Sequence, residues 1–192
     1  MKLVVGLGNP GDRYRGTRHN VGWEVLAELA RRHAAGASPE SNFEAETVRV
    51  AVGDAPALLV SPLTYMNLSG RSVAAACRFH KLAPADALVV CDDLNLPPGR
   101  LRMRGKGSHG GQNGLRDVID KLGTEEFPRL RVGVGRPPGR MDAAAYVLAR
   151  FGDDERTEMD LAVQDAADAC ERWLTGGLEA AMNLANAPPP DA

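Results

Sequence analysis

Short apolar runs alternate along this chain with longer segments in which apolar residues recur every three or four positions. The runs predict strands that are buried on both faces, and the longer segments predict helices with one apolar side. The predicted strands cover residues 2–5, 43–52, 57–61, 87–91, 100–104 and 130–135. The predicted helices begin near Val21 and cover residues 69–81 and 113–122, and the chain after Gly139 is predicted to be helical, most clearly over residues 153–174. Asn20 or Thr17 is the candidate N-cap of the first helix, and residues 35–41 are predicted to form a loop.

Strands that alternate with helices predict a three-layer α/β sandwich, in which helices cover both faces of a mostly parallel sheet. The two strands within residues 43–61 are separated by a turn alone, so we expect this part of the sheet to be antiparallel and the whole sheet to be mixed. A length of 192 residues fits one domain. We therefore expect a single domain over residues 1–186 and a flexible, proline-rich tail over residues 187–192.

Composition and charge narrow the class of protein. Hydrophobic residues make up 44% of the chain and charged residues 25%, as in an ordinary soluble globular protein. The net charge of −2 excludes a nucleic-acid-binding protein that is basic overall, although it allows a local basic patch. Charge is uneven, because residues 99–140 carry ten basic and four acidic side chains, whereas residues 151–182 carry nine acidic and two basic ones. The basic segment is either an ordinary solvated face or a surface that contacts phosphate groups.

The cysteine count and the hydropathy pattern bear on the compartment. Three widely spaced cysteines without a Cys-x-x-Cys pair argue against a disulfide framework and against a zinc ribbon. No apolar run approaches the roughly 20 residues that span a membrane, and no signal-peptide pattern opens the chain. The four histidines lack the spacing of metal-ligand motifs. We therefore expect a cytoplasmic, monomeric protein with reduced cysteines, no metal and no cofactor.

The segment Gly6–Gly11 has the Gly-x-Gly-x-x-Gly spacing of a dinucleotide-binding turn. Such a site needs a helix to begin at the turn, because the helix N-terminus holds the pyrophosphate. The polar residues that follow show no helical periodicity, which argues against a nicotinamide or flavin site. We predict instead that the glycines allow a sharp turn, which presents Asn9 at the carboxyl end of the first strand.

His19 and Asp92 are the candidate pair for proton transfer. His19 lies in a polar segment before the first helix, and Asp92 directly follows a buried strand. An imidazole can take a proton from water near neutral pH, and a carboxylate on its other nitrogen fixes the tautomer. The ordinary alternative for His19 is a surface or capping histidine. Asp93 is expected to point to the opposite face of the sheet if the pleat continues.

Two further polar segments precede predicted helices. The Asn67 amide is suited to binding a carbonyl group, although asparagine at a helix start is more often a plain N-cap. The glycine-rich stretch 107–114 brings backbone N–H groups to where an anion would bind, but it lacks the Gly-Lys-Ser/Thr of a Walker motif. No Gly-x-Ser-x-Gly motif supplies a serine nucleophile. A histidine and several amides remain, a set suited to attack by activated water.

Taken in order, these motifs resemble those of bacterial-type peptidyl-tRNA hydrolases over about residues 1–185. The segments that carry the resemblance are Val4–Gly11, Thr17–Asn20, Tyr65–Gly70, Asp92–Leu94 with Leu96–Gly99, Gly110–Leu115 and Arg129–Gly135. The resemblance implies hydrolysis, during translation, of the ester that joins a peptide to the 3′ ribose of tRNA. The alternative is a non-catalytic RNA-binding protein on the same fold, since a fold does not fix a function.

The resemblance also implies roles for individual residues. His19 would be the general base, Asp92 would support it, and Asn9 would help to distinguish blocked from free α-amino groups. The residues implied in binding the substrate and the acceptor end of tRNA are Tyr14, Tyr65, Met66, Asn67, Asn113, Arg104 and Arg131. Many relatives have histidine where this chain has Gln112, and glutamine keeps the hydrogen bonding but does not titrate. His109 would compensate only if it faced the same cleft.

Ester hydrolysis of this kind needs one oriented water molecule and one donor for the oxyanion. We expect His19 to remove the water proton while Asp92 holds the imidazole ring. The residue types leave three candidates for the oxyanion donor, the side-chain amides of Asn9, Asn67 and Asn113.

Overall fold

The computed structural model describes residues 1–34 and 36–188. Its strands, in chain order, are β1 (Lys2–Gly6), β2 (Glu40–Asn42), β3 (Ala45–Val52), β4 (Ala55–Pro62), β5 (Ala87–Asp93), β6 (Leu101–Arg104) and β7 (Arg129–Gly133). Its α-helices are α1 (Val21–His33), α2 (Ser69–His80), α3 (Asn113–Leu122), α4 (Ala143–Val147) and α5 (Asp153–Ala185). Among the described residues, seven strands form one sheet in the order β2-β3-β4-β1-β5-β7-β6.

The centre of the sheet is parallel and its margins are antiparallel. Strands β4, β1, β5 and β7 run in the same direction. Strands β2, β3 and β6 run antiparallel to their neighbours. The prediction of a mixed, mostly parallel sheet is confirmed, including the antiparallel pair within residues 43–61. The carboxyl ends of the four parallel strands lie along one edge, where open α/β sheets place their sites.

Helices cover both faces of the sheet, which confirms the three-layer arrangement. Helices α1 and α5 pack on one face, where Trp173 lies in the core, and α2 and α3 pack on the other, where Leu115 is buried. Neighbouring residues of β1 alternate between the two cores, since Val4 belongs to the first and Val5 to the second. The strand runs are continuously apolar because both of their faces are buried.

The ends of the predicted strands and helices lie within two residues of the observed ones, except in two regions. The loop predicted over residues 35–41 ends earlier, because Glu40–Asn42 forms the edge strand β2. Its residues are polar and exposed, so backbone pairing to β3 holds the strand and no apolar alternation marks it. The last helix continues beyond Leu174, where its clearest sequence pattern ends. The backbone at Gly177 leaves the helical region (φ 80°), as the Gly176–Gly177 pair suggests, but the chain then resumes the helix to Ala185.

Two glycines allow α1 to pack against the end of β1, backbone to backbone. The predicted sharp turn is wrong for Gly6 and Gly8, because within Gly6–Gly11 a positive φ occurs at Gly11 (102°). A Cβ on Gly6 would instead lie 2.3 Å from the carbonyl oxygen of Gly22, and a Cβ on Gly22 would lie 2.6 Å from the backbone of Leu7. This close approach brings the segment before α1 to the carboxyl edge of the sheet.

We expect Gly22→Ala to lower the free energy of unfolding by about 1–3 kcal/mol, because the added methyl group must displace backbone atoms in a packed core. Denaturant unfolding measures the loss. Gly176→Ala is the matched control, since there the new Cβ would meet the movable Arg172 side chain at 3.2 Å. Equal stability of the two variants would contradict a tight contact between α1 and β1.

The residues after α5 cover the free edge of β6. The Asn186 side chain accepts a hydrogen bond from the Met103 N–H (2.8 Å) and donates one to the Met103 carbonyl oxygen (3.1 Å). The Arg100 guanidinium donates to the carbonyl oxygens of Asn186 and Ala187. Of the predicted tail, residues 189–192 lie outside the described residues. Within the described ranges, no helix has the length and apolar character needed to cross a membrane.

Candidate active site

A cleft of about 810 Å³ lies at the carboxyl edge of the parallel strands. Its walls come from the segments after β1 and β4, from β5 and β7, from the glycine-rich segment before α3, and from α4. The residues predicted for the site that line this cleft are Asn9, His19, Tyr65, Met66, Asn67, Asp92, Asn113 and Arg131. Two others lie outside the lining, Tyr14 in the segment before α1 and Arg104 on the exposed side of β6. The volume is that of a small-molecule site.

His19 and Asp92 are in contact at the floor of the cleft. The Nδ1 atom of His19 lies 2.9 Å from Oδ1 and 2.8 Å from Oδ2 of Asp92, and the two side chains are 12% and 2% exposed. An ionised carboxylate accepts hydrogen bonds only, so Nδ1–H of His19 is the donor. In the neutral ring, Nε2 then carries the lone pair that can receive a proton.

Asp93 has a separate role from Asp92. Its carboxylate lies 3.2 Å from the Arg131 guanidinium and accepts a hydrogen bond from the Asn95 N–H (2.8 Å). Asp92 and Asp93 both line the cleft, but their carboxylates have different partners. Burial raises the pKa of the Cys91 thiol far above its usual range, and the neighbouring Asp92 carboxylate adds to the shift. Cys91 is therefore a protonated thiol with no role as a nucleophile.

Asn9 is held in one orientation by three hydrogen bonds. Its Oδ1 accepts from the Met66 N–H at 2.8 Å, and its backbone N–H and carbonyl group pair with the side chain of Asn20, both at 2.9 Å. A backbone N–H can only donate, so the oxygen of the Asn9 amide must face Met66. The Nδ2 group therefore takes the other position, and Asn9, although 6% exposed, lines the cleft.

Asn67 and Asn113 lie on the exposed rim of the cleft. The N-cap interpretation of Asn67 is wrong, because it lies inside a 3₁₀ turn over Met66–Leu68 and Leu68 precedes α2. Tyr65 stands beside it with 52% of its surface exposed. These rim side chains present polar and aromatic groups to solvent, whereas Asn9 is fixed in the wall.

Gln112 is in contact with the His19–Asp92 pair. Its Nε2 donates to Oδ1 of Asp92 at 3.0 Å. Its Oε1 caps α3 by accepting from the Leu115 N–H at 2.7 Å. His109 faces the same cleft from the glycine-rich segment, where its Nδ1 accepts from the Gly111 N–H at 3.0 Å.

Helix α4 forms a wall of the cleft, a role that the sequence reasoning did not assign to it. Asp142 caps this helix, because its Oδ1 accepts from the Ala145 N–H at 3.0 Å. The aspartate followed by three alanines at residues 142–145 is a recognisable helix start. The helix has only five residues, which is too short for apolar periodicity to reveal it.

Arg18 connects that wall to the segment that carries His19. Its buried guanidinium donates to both oxygens of Glu155 (2.9 and 2.6 Å) and to the carbonyl oxygen of Arg150 (2.8 Å), and it lies 4.1 Å from the centre of the Tyr146 ring. Burial acts to raise the pKa of Glu155, but the Gly152 N–H and Arg18 outweigh it and hold that pKa below its usual value. The segment around α4 is thereby fixed beside His19.

Four arginines share one face of the β6–β7 pair, because Arg102 pairs with Arg131 and Arg104 with Arg129. Arg129 is buried and donates to the carbonyl oxygens of Gly107, Glu125 and Phe127, so it holds the glycine-rich segment in place. Arg131 is partly neutralised by Asp93. Arg102 and Arg104 are exposed and present their charge to solvent.

Across residues 1–34 and 36–188, no group of three or more His, Cys, Asp or Glu side chains is placed to hold a metal ion.

Comparisons with known proteins agree with this geometry. The family model for peptidyl-tRNA hydrolase matches residues 3–191. The peptidyl-tRNA hydrolase of Symbiobacterium thermophilum is 52% identical over 187 residues, which cover 96% of this chain and 98% of the relative. That of Rhodopirellula baltica is 48% identical over 187 residues, covering 97% and 98% of the two chains. The crystal structure of peptidyl-tRNA hydrolase from Acinetobacter baumannii superposes with a TM-score of 0.91 at 35% identity, covering 99% of this chain and 96% of that one.

Proposed function

The chain belongs to the peptidyl-tRNA hydrolase family, and we propose that it cleaves the ester between a peptide and the 3′ ribose of tRNA with a water molecule activated by His19. It is an ester hydrolase that acts in translation, and the relatives favour this activity over non-catalytic RNA binding. The contact between His19 and Asp92 in the cleft is the observation that carries the mechanism.

The proposed first step is attack by water on the ester carbonyl carbon. His19 Nε2 takes a proton from the water as its oxygen bonds to that carbon, and the imidazolium is stabilised by Asp92. The carbonyl oxygen becomes an oxyanion, which accepts a hydrogen bond from Asn9 Nδ2. The ester bond then breaks, and the departing 3′ oxygen takes the proton from the imidazolium. The products are a peptide with a free carboxyl group and a tRNA with a free 3′ hydroxyl.

Asn9 is favoured over Asn67 and Asn113 as the oxyanion donor because its orientation is fixed before substrate binds. The Met66 N–H and the side chain of Asn20 hold it in place. A donor that needs no reorganisation stabilises developing charge more effectively than a mobile one. Asn67 and Asn113, with Tyr65 and Met66, are proposed to contact the peptide and the terminal adenosine.

The phosphates of the acceptor end are proposed to follow the exposed arginines of the β6–β7 face. The expected phosphate contacts at Arg104 and Arg131 are joined there by Arg102, which pairs across the strands with Arg131. We further propose that Tyr14, which lies outside the cleft lining, contributes to binding the acceptor end of the tRNA. The structure describes one sheet with two cores, which supports a single domain over residues 1–186.

We expect the double variant Arg102→Gln/Arg104→Gln to bind tRNA more weakly and with a smaller salt dependence. The logarithm of the binding constant falls as the logarithm of the salt concentration rises. Each lost phosphate contact makes this slope less steep by roughly 0.7–0.9. Titrations of tRNA at several salt concentrations measure the slope. Arg172→Gln on α5 serves as the control, because that exposed arginine lies in the acidic segment. An unchanged slope in the double variant would mean that the tRNA backbone lies elsewhere.

We also propose that the protein acts as a cytoplasmic monomer. The three cysteines are buried and free, which fits a reducing compartment. Every residue in the proposed mechanism comes from a single chain, so a second copy is not needed to complete the site.

Release of peptide from N-acetyl-aminoacyl-tRNA tests the proposed function. The expected result is fast hydrolysis of this blocked ester and slow hydrolysis of the same aminoacyl-tRNA with a free amino group. Binding of the blocked substrate without hydrolysis would instead support the RNA-binding alternative.

A further inference from the structure

The Asp92 carboxylate is held from two sides. His19 contacts it through Nδ1, and Gln112 donates to its Oδ1 at 3.0 Å. The orientation of the Gln112 amide is fixed, because its Oε1 must accept the Leu115 N–H, a group that can only donate. The side chain thus links the first turn of α3 to the carboxylate behind the histidine.

We propose that Gln112 is a positioning residue for water activation. Its side chain holds Asp92 in place and reduces the stabilisation that this carboxylate gives to the protonated His19 ring. A neutral donor on Oδ1 takes up part of the negative charge that would otherwise stabilise the imidazolium. Without that donor, the carboxylate would stabilise the imidazolium more strongly. This inference rests on the proposed role of His19 as the base.

The chemistry of glutamine gives this contact a particular property. A histidine, the residue of many relatives at this position, gains and loses a proton near neutral pH, whereas an amide does not. The hydrogen bond from Gln112 to Asp92 is therefore constant across the working pH range. Gln112 itself then adds no ionisation to the acid side of the pH–rate profile.

Several other charged or titratable groups lie close enough to matter. Asp93 is paired with Arg131 on the neighbouring strand, and Arg18 is paired with Glu155. The titratable or charged groups that line the cleft beside the His19–Asp92 pair are Tyr65, Asp93, His109, Arg131 and Asp142. His109 is the second histidine that lines the cleft, so a His109→Gln variant is needed to recognise its contribution to the pH profile.

The test compares variants that separate the two hydrogen bonds of Gln112. Gln112→Ser can still cap α3 but is too short to reach Asp92. Gln112→Glu keeps an oxygen for the Leu115 N–H and places a second carboxylate beside Asp92. The measurements are kcat, KM and the pH profile of kcat/KM for N-acetyl-aminoacyl-tRNA, together with the pH titration of the His19 ring by NMR, assigned with His19→Ala.

For Gln112→Ser we expect kcat to fall about 10- to 100-fold, the range of one hydrogen bond to a charged group, with KM little changed. The midpoint of the acid limb should move to higher pH by about half to one unit, and the His19 signals should move with it. Gln112→Glu should move the midpoint further. Gln112→His should recover most of kcat, because a ring N–H can replace the lost donor.

A Gln112→Ser protein with normal kcat and an unshifted acid limb would overturn the proposal, leaving Gln112 as a helix cap alone. If Gln112→Ser does not fold, an unshifted limb in Gln112→Glu would overturn it equally. Failure of the proposed function is distinguishable, because the wild type and His19→Ala would then hydrolyse the blocked ester at the same rate.

Discussion

His19→Ala is expected to lower kcat/KM for N-acetyl-aminoacyl-tRNA by about 10²–10⁴-fold, the contribution of a general base. The Nε2 of His19 is the proposed proton acceptor, and alanine leaves Asp92 without a ring to orient. Most of the loss should fall on kcat, because tRNA binding depends on other residues. Single-turnover hydrolysis with saturating enzyme measures the chemical step directly.

The pH profile of the wild type is part of the same prediction. Activity measured from about pH 5 to 8 should rise with pH, because only the neutral imidazole accepts a proton from water. His80→Ala is the matched control, since His80 lies on α2 in contact with Phe43 and Phe79 and does not line the cleft. Flat kinetics across this range, with chemistry rate-limiting, would exclude His19 as the base.

Asn9→Asp is expected to lower kcat by about 10²–10³-fold, the effect of removing one oxyanion donor. The substitution keeps the size of the side chain and an oxygen for the Met66 N–H, but it replaces the Nδ2 donor with a second oxygen. That oxygen repels the oxyanion in the transition state. KM should change little, because the lost interaction exists only in the transition state.

Asn42→Asp, on the exposed strand β2, controls for the added negative charge. Thermal unfolding of both variants shows whether the fold is intact. A rise in KM with kcat unchanged would assign Asn9 to ground-state binding, and the oxyanion donor would then be sought at Asn67 or Asn113. Comparing blocked and unblocked substrates in Asn9→Asp also tests the role in substrate discrimination that the family resemblance implies.

The sequence predicts the fold well because its strongest signals are local. The runs that become β1 and β5 are apolar throughout, since each is covered by helices on both faces. The placing of Asp92 at the carboxyl edge of the sheet is also predictable from the strand that precedes it, but its contact with His19 is not. Strand β2 escapes prediction for the opposite reason, since its three polar residues bury no apolar surface.

Other features of the site depend on contacts between distant residues, which no local pattern reveals. Arg18 meets Glu155 across 137 positions of the chain. Gln112 reaches Asp92 only because α3 begins where β5 ends in space. The orientation of the Asn9 amide is set by Met66, 57 residues further along. The residue types suggested an asparagine donor, but only packing distinguishes one asparagine from another.

The Asn186 amide also affects how molecules of this protein meet one another. An exposed edge strand offers unpaired N–H and C=O groups to any other strand, which is a common route to aggregation. At β6 the side chain of Asn186 already occupies both backbone groups of Met103. The opposite edge strand, β2, is short and polar, and both properties disfavour pairing with another strand. Asn186 therefore leaves fewer free backbone groups at the β6 edge for a strand of another molecule, a consequence for solubility that turnover measurements do not detect.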